Sequence, residues 1–281
     1  MDQKIIALFD TFTHGGMNRR TFMEKLATLA GSTAAASVLL PILENNYVLA
    51  DVVAEGDNRI TTETLTFQDG SGYLARPAKE GKYPGVIVIH ENRGLNPHIK
   101  DITRRMALEG FAALAPDYLS TMGGTPVDAD KARDMIGTLK PEGILATSMA
   151  ALVALKNNAV SMGKSGAMGF CWGGGAVNAL AVADEGLSAG VAYYGMQPSA
   201  ADVPKIAAPL LLHYAGLDER IDAGIPAFET ALKASGKTYE LYMYDGVNHA
   251  FNNDTNAARY NKEAADLAWK RTVEFLKKHV A

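Results

Sequence analysis

The chain has 281 residues, 48% of them hydrophobic and 21% charged, with a net charge of −4 and one cysteine. That length suits one large globular domain with a short appendage, and the mild acidity leaves no electrostatic footprint for nucleic acid. A single thiol excludes an internal disulfide framework and any cysteine-rich metal site, and no apolar run is clean enough to read as a membrane helix.

Residues 1–50 differ from the remainder. Asn18-Arg-Arg-Thr-Phe-Met-Glu-Lys25 resembles a twin-arginine export motif, Leu26 to Leu43 is moderately apolar, and Val48-Leu-Ala50 reads as a small-residue cleavage site. On that reading the mature enzyme starts near Asp51, works in the periplasm and carries no membrane segment. The alternative is a cytoplasmic chain whose first helices, with Ile5, Ile6, Phe9 and Phe12 on one face, stay packed on the domain.

Residues 51–281 alternate strand and helix patterns. Arg59 to Phe67, a turn at Gln68-Asp-Gly-Ser-Gly72 and Tyr73 to Arg76 predict a hairpin. Gly85-Val-Ile-Val-Ile-His90 is a β-branched run of the kind buried on both faces of a parallel sheet. A helix over Pro97–Glu109 leads to a strand at Phe111–Ala115, then helices over 128–139 and 143–157. Strands follow at 188–194, 209–214 and 238–244, with helices over 226–235 and 256–279. The pattern predicts an α/β fold with a mostly parallel central sheet, right-handed crossovers and an N-terminal hairpin.

Within this series, strand-like Gly163-Lys-Ser165 and helical Ala176–Ala183 bracket Gly169-Phe-Cys-Trp-Gly173. This is the Gly-x-nucleophile-x-Gly elbow with cysteine in the nucleophile's place. The helix that starts behind Cys171 favours thiolate over thiol. Such an elbow needs an acid past a later strand and then a histidine. Asp218, beyond the strand Pro209–Tyr214, is nearest the strand end, with Glu219 and Asp222 as rivals; His249 lies in the loop after the last strand. His90-Glu-Asn-Arg-Gly94 ends the first buried parallel strand, where ligands bind in such sheets. The backbone N–H groups of Asn92 and Trp172 would form an oxyanion hole. Glu91 beside the thiol would raise its pKa, against activation by His249.

Taken together, His90-Glu-Asn-Arg-Gly94, Ala115-Pro-Asp117, Gly169-Phe-Cys-Trp-Gly-Gly174, Tyr193-Tyr-Gly195, Asp218 and Gly246-Val-Asn-His-Ala-Phe251 resemble the dienelactone hydrolase family, over roughly residues 58–281. The resemblance implies an α/β-hydrolase fold and a cofactor-free, metal-free hydrolase of small carboxylic esters or lactones with a triad of Cys171, His249 and Asp218. It also implies that Glu91 holds the resting thiol protonated until substrate binds. One departure bears on substrate: the family's carboxylate-gripping arginine past the histidine is replaced by Asn252-Asn253, and Arg133 is an unanchored substitute. Arg93, Phe251 and Asn253 are the candidate substrate contacts. A non-catalytic binding protein and a thiol redox sensor are the alternatives, and the oligomeric state is left open.

Overall fold

The structure, a computed structural model, describes residues 1–49, 51–68 and 70–281. Three helices open the chain: α1 (Gln3–Thr13), α2 (Arg19–Ala30) and α3 (Thr33–Leu43). Then come β1 (Ile60–Phe67), β2 (Gly70–Pro77), β3 (Tyr83–Ile89), α4 (Pro97–Leu108), β4 (Ala112–Pro116), α5 (Ala129–Ile136) and α6 (Pro141–Lys156). The chain continues through β5 (Ser161–Phe170), α7 (Trp172–Ala183), β6 (Gly190–Tyr193) and β7 (Leu210–Ala215). It ends with the one-turn α8 (Glu219–Asp222), α9 (Ile225–Ala234), β8 (Tyr239–Tyr244) and α10 (Lys262–Val280).

The eight strands form one sheet in the order β1-β2-β4-β3-β5-β6-β7-β8. β1 with β2 and β2 with β4 are antiparallel, and the remaining pairs are parallel. Period-two alternation divides the interior into two layers. Val86 and Val88 of β3 pack with Ile99, Ile102 and Met106 of α4 and Leu276 of α10. Ile87 and Ile89 pack on the opposite face with Leu152 of α6, Val177 of α7 and Phe228 of α9. Both faces are covered, so the run Val86–Ile89 is apolar throughout.

Two elements differ from their sequence pattern. The strand leading into the elbow is ten residues long, Ser161–Phe170, because its glycine-rich second half is fully sheet-paired. The last helix begins at Lys262 rather than near residue 256, because the intervening asparagines spend their side chains on local turns. Asn253 Oδ1 accepts from Thr255 N and Oγ1, Asn256 Oδ1 accepts from Arg259 N, and Asn261 caps α10.

The first three helices build a small core of their own from Ile5, Phe9, Phe12, Phe22, Leu26, Ala36 and Leu43. Asp2, Asn18 and Ser32 each cap a helix by accepting a backbone N–H. Phe12 and Phe22 stack at 4.5 Å. Ile5, Ile6, Phe9 and Phe12, the face expected of a packed helix, are buried. Arg19 of the twin-arginine pair bridges Glu44 and Asp130, while among the described residues Arg20 pairs with Glu24 alone. The expected cleavage site includes Ala50, and the expected hairpin turn includes Asp69; both residues lie outside the described ones. Among the described residues no single helix is long and apolar enough to cross a membrane, and α2 with α3 reaches that length only as a pair bent by 111°.

This helical unit sits over the loops that follow the parallel strands. Asn92 Nδ2 donates to the Thr13 carbonyl at 2.7 Å, and Asn46 N donates to the Thr255 carbonyl at 2.7 Å. Asn256 Nδ2 donates to the Leu43 carbonyl at 2.6 Å.

Candidate active site

Cys171 stands between β5 and α7 with φ 56 and ψ −114, a conformation that a non-glycine residue adopts only where its surroundings enforce it. The Cys171 N–H donates to the Tyr193 carbonyl, and its own carbonyl accepts from Gly175 N. The flanking glycines are steric necessities. A Cβ on Gly169 would lie 2.3 Å from the Gly173 carbonyl oxygen, and one on Gly173 would lie 2.4 Å from the Ile89 oxygen. The backbone around the thiol is strained at two further points, Tyr194 with φ 40 and Ala250 with φ 64.

Asp218 follows β7 and caps α8, while His249 follows β8. Both are buried, and His249 Nδ1 meets Asp218 Oδ2 at 2.5 Å. The contact leaves Nε2 as the free edge of the ring, and that atom is buried without a hydrogen-bond partner among the described residues. The rival Asp222 makes no such pair; burial and the neighbouring Asp218 charge push its carboxyl up to about 6.

A third group reaches the thiol from the N-terminal segment. His14, at the C-terminal end of α1, places Nε2 3.2 Å from Cys171 Sγ. The His14 and His249 rings meet edge to face with centroids 4.9 Å apart, and the donor atoms of His14, Cys171 and His249 all lie within 4.8 Å of one another. His14 Nδ1 contacts the Asp10 carbonyl at 2.7 Å and the Asp10 carboxylate at 3.3 Å. Arg220 Nη2 stands 3.1 Å from His14 Nε2.

Burial alone would push the thiol's pKa up, but the facing His249 and His14 imidazoles outweigh it and bring Cys171 down to about 6. Burial likewise disfavours the His249 imidazolium, yet the Cys171, Asp218 and Asp10 charges hold its pKa well above the ordinary histidine value. Thiolate and imidazolium therefore stabilise each other.

This environment differs from the one expected of Glu91. That carboxylate accepts from Asn253 Nδ2 at 2.9 Å, and among the described residues the hydrogen-bond partner of Sγ is His14. The thiol is thus lowered rather than raised, because imidazoles face it and Glu91 is engaged elsewhere. Asn92 and Trp172 both line the cavity beside Cys171. The Trp172 N–H is the first of α7 and has no intrahelical acceptor. His90 is fully buried, stacks on Trp172, and has its pKa lowered by burial, so it stays neutral.

The thiol opens onto a cavity of about 750 Å³. Its walls are largely apolar, with Ile136, Ile144, Leu145 and Met196 among them, and Thr13 to Gly15 close one side. All three candidate substrate contacts, Phe251, Asn253 and Arg93, stand outside its lining. Phe251 is fully buried in the core against Tyr194 and Tyr244, and Asn253 is fully buried on Glu91. Arg93 lines a smaller pocket with Glu91 and Arg259. Arg133 does reach the cavity, but it pairs with Asp130 and Asp134 and covers the Phe12 ring. Sequence reasoning missed His14, Asp10 and Arg220. The one signal was the four-residue spacing of Asp10 and His14, which puts both on one helix face.

A family model for the dienelactone hydrolase family matches residues 71–280, and a separate one, described as YqhI-like, matches residues 1–31. A putative carboxymethylenebutenolidase of Methylorubrum extorquens is 29% identical over 92% of this chain and 98% of its own length. One from Saccharolobus solfataricus is 34% identical over 77% of this chain and 98% of its own length. The crystal structure of a putative dienelactone hydrolase from Klebsiella pneumoniae superposes with a TM-score of 0.70 at 26% identity, covering 78% of this chain and 99% of that one. With its mixed eight-stranded sheet and the cysteine elbow at the end of β5, the chain has the α/β-hydrolase fold and belongs to the dienelactone hydrolase family of hydrolases.

Proposed function

We propose that the protein hydrolyses small carboxylic esters or lactones through a thioester on Cys171, with His249 as the acid–base group and Asp218 as its orienting carboxylate. The observation that carries this reading is the buried 2.5 Å contact of Asp218 with His249 Nδ1, which leaves Nε2 free on a ring that brings a nitrogen within 4.8 Å of Sγ. Asp218 fixes the tautomer and stabilises the imidazolium, as the orienting acid does in acyl-transfer triads.

The Sγ anion adds to the carbonyl carbon, and the oxyanion accepts from the Asn92 and Trp172 N–H groups. The intermediate collapses with cleavage of the acyl C–O bond, and the alkoxide takes a proton from an imidazolium. In a lactone that alcohol stays tethered to the acyl group. Water then adds to the thioester, giving its proton to a neutral imidazole, and the carboxylic acid leaves as the C–S bond breaks. No cofactor or metal enters this sequence.

The test is direct. Cys171→Ala and His249→Ala should each lower kcat for p-nitrophenyl acetate by ~10³-fold or more while the melting temperature stays near that of the parent protein. Full activity in either folded variant would overturn the reading.

A further inference from the structure

We propose that residues 1–49 remain part of the working enzyme and that His14, oriented by Asp10, is a second catalytic imidazole, exchanging protons with substrate oxygen on the cavity side of the thiol. The inference rests on the thioester chemistry above and adds to His249 a second proton carrier on the leaving-group side.

His14 sits where the leaving group must go. His14 and Cys171 line the cavity of about 750 Å³, which His249 does not reach; His249 shares with His14 a second pocket of about 450 Å³. An acyl group that enters from the cavity to reach Sγ keeps its alcohol on the cavity side, next to His14 Nε2.

The hydrogen bonds also fix the state of the ring. Nδ1 meets the Asp10 carbonyl at 2.7 Å, and a carbonyl can only accept, so Nδ1 carries the proton. Arg220 Nη2 can only donate, so at 3.1 Å it requires a lone pair on Nε2. The Sγ–H, at 3.2 Å, finds the same lone pair. His14 is therefore a base aimed at the thiol proton, as His249 is from the other side. Each imidazole has a carboxylate behind its Nδ1, Asp10 for His14 and Asp218 for His249. Asp10 is itself held by Arg259 and Arg220.

The proton balance is closed. The thiol proton passes to Nε2 of His14, leaving the thiolate. When the acyl C–O bond breaks, that proton goes to the departing alkoxide and His14 returns to neutrality. In the second half the same nitrogen takes a proton from the attacking water and returns it to sulfur as the C–S bond breaks. His249, with Asp218 behind it, is the other acceptor of the thiol proton, so the thiolate still forms when His14 is absent.

The segment that carries His14 is built to stay. It has its own apolar core and three capped helices, and it is tied to the loops of the sheet by Asn92, Asn46 and Asn256. Export with cleavage near Asp51 would remove His14, so the two fates of residues 1–50 lead to opposite results.

The experiment compares leaving groups in the full-length chain. A proton donor to the alkoxide matters for a poor leaving group such as an ethyl ester or a five-membered lactone, and hardly for p-nitrophenolate. His14→Ala and His14→Gln should lower kcat on both esters, but by at least ~10-fold more on ethyl esters than on p-nitrophenyl acetate, with melting temperatures unchanged. Equal losses on both esters, or none on either, overturn the proposal, as does a purified mature protein that starts near Asp51 and keeps full ethyl-esterase activity. An intact mass including residues 1–49 supports it. Cys171→Ala, assayed alongside, separates the two ideas: if it stays active, the thioester reading itself is at fault.

Discussion

At the scale of single residues, the site is a contest between burial and charge at Cys171. Burial alone would keep the thiol protonated, and two imidazoles reverse that, bringing it to about 6. A group whose pKa is lowered in this way is ionised above that value and loses its charge as pH falls through it. Alkylation of the free enzyme by iodoacetamide should therefore rise with pH through a midpoint near 6, and His249→Ala should move that midpoint up toward the ordinary thiol range. A midpoint near 9 in the parent protein would show that the imidazoles do not act on sulfur. Asp218→Asn keeps the shape of the acid but not its charge, and should lower kcat by ~10²–10⁴-fold, with the iodoacetamide midpoint also rising. The sequence brings Cys171, Asp218 and His249 forward through the elbow and chain order, and the structure sets His249 on Asp218 with an imidazole nitrogen within 4.8 Å of Sγ. Glu91 was read correctly in place but not in partner. Nothing in the sequence shows that Asn253 Nδ2 would take its carboxylate or that His14 would take its place at Sγ.

At the scale of elements, the turn from β5 into α7 determines how tightly the site is built. Ile89 of β3 lies against the first turn of α7 so closely that residue 173 has no room for a side chain: its Cβ would stand 2.4 Å from the Ile89 oxygen and 2.5 Å from the His90 oxygen. Both obstacles are backbone, so neither can swing aside. Gly173→Ala should cost about 2 kcal/mol and lower the melting temperature by roughly 4–8 °C. An unchanged melting temperature would mean that α7 can slide along the sheet. Most element positions followed from patterning, since a β-branched run such as Val86–Ile89 and a glycine-bounded helix such as α4 have few alternative readings. The ends of the last helix did not, because the helical period of 256–279 is competed away where Asn253, Asn256 and Asn261 turn their amides onto nearby backbone. Local hydrogen bonding beats propensity there.

At the scale of the whole molecule, the N-terminal helices are the part that sequence alone placed least well. The amphipathic pattern of Ile5, Ile6, Phe9 and Phe12 fits both a leader and a packed helix, and only the surface that receives it distinguishes them. Once packed, this unit changes the charge of the cavity it closes. Asn252 and Asn253 stand shortly past His249, and the two arginines that line the cavity are engaged: Arg133 with Asp130 and Asp134, Arg220 with Asp10 and His14. A substrate carboxylate would have to displace one of these pairs in a largely apolar cavity, and an unpaired buried charge is costly. Neutral esters and lactones should accordingly be preferred over matched compounds bearing a carboxylate, by ~10-fold or more in kcat/KM, since losing one charge-assisted contact is worth about 1.5–3 kcal/mol. The comparison of a neutral lactone with its carboxymethylene analogue at fixed ionic strength decides it. Asp134→Asn, which frees one of the carboxylates on Arg133, should narrow the gap by improving only the anionic substrate. Parity or a preference for the carboxylate in the parent protein would mean that Arg133 or Arg220 leaves its partner when substrate arrives, and that the cavity is cationic in use although its arginines are paired at rest.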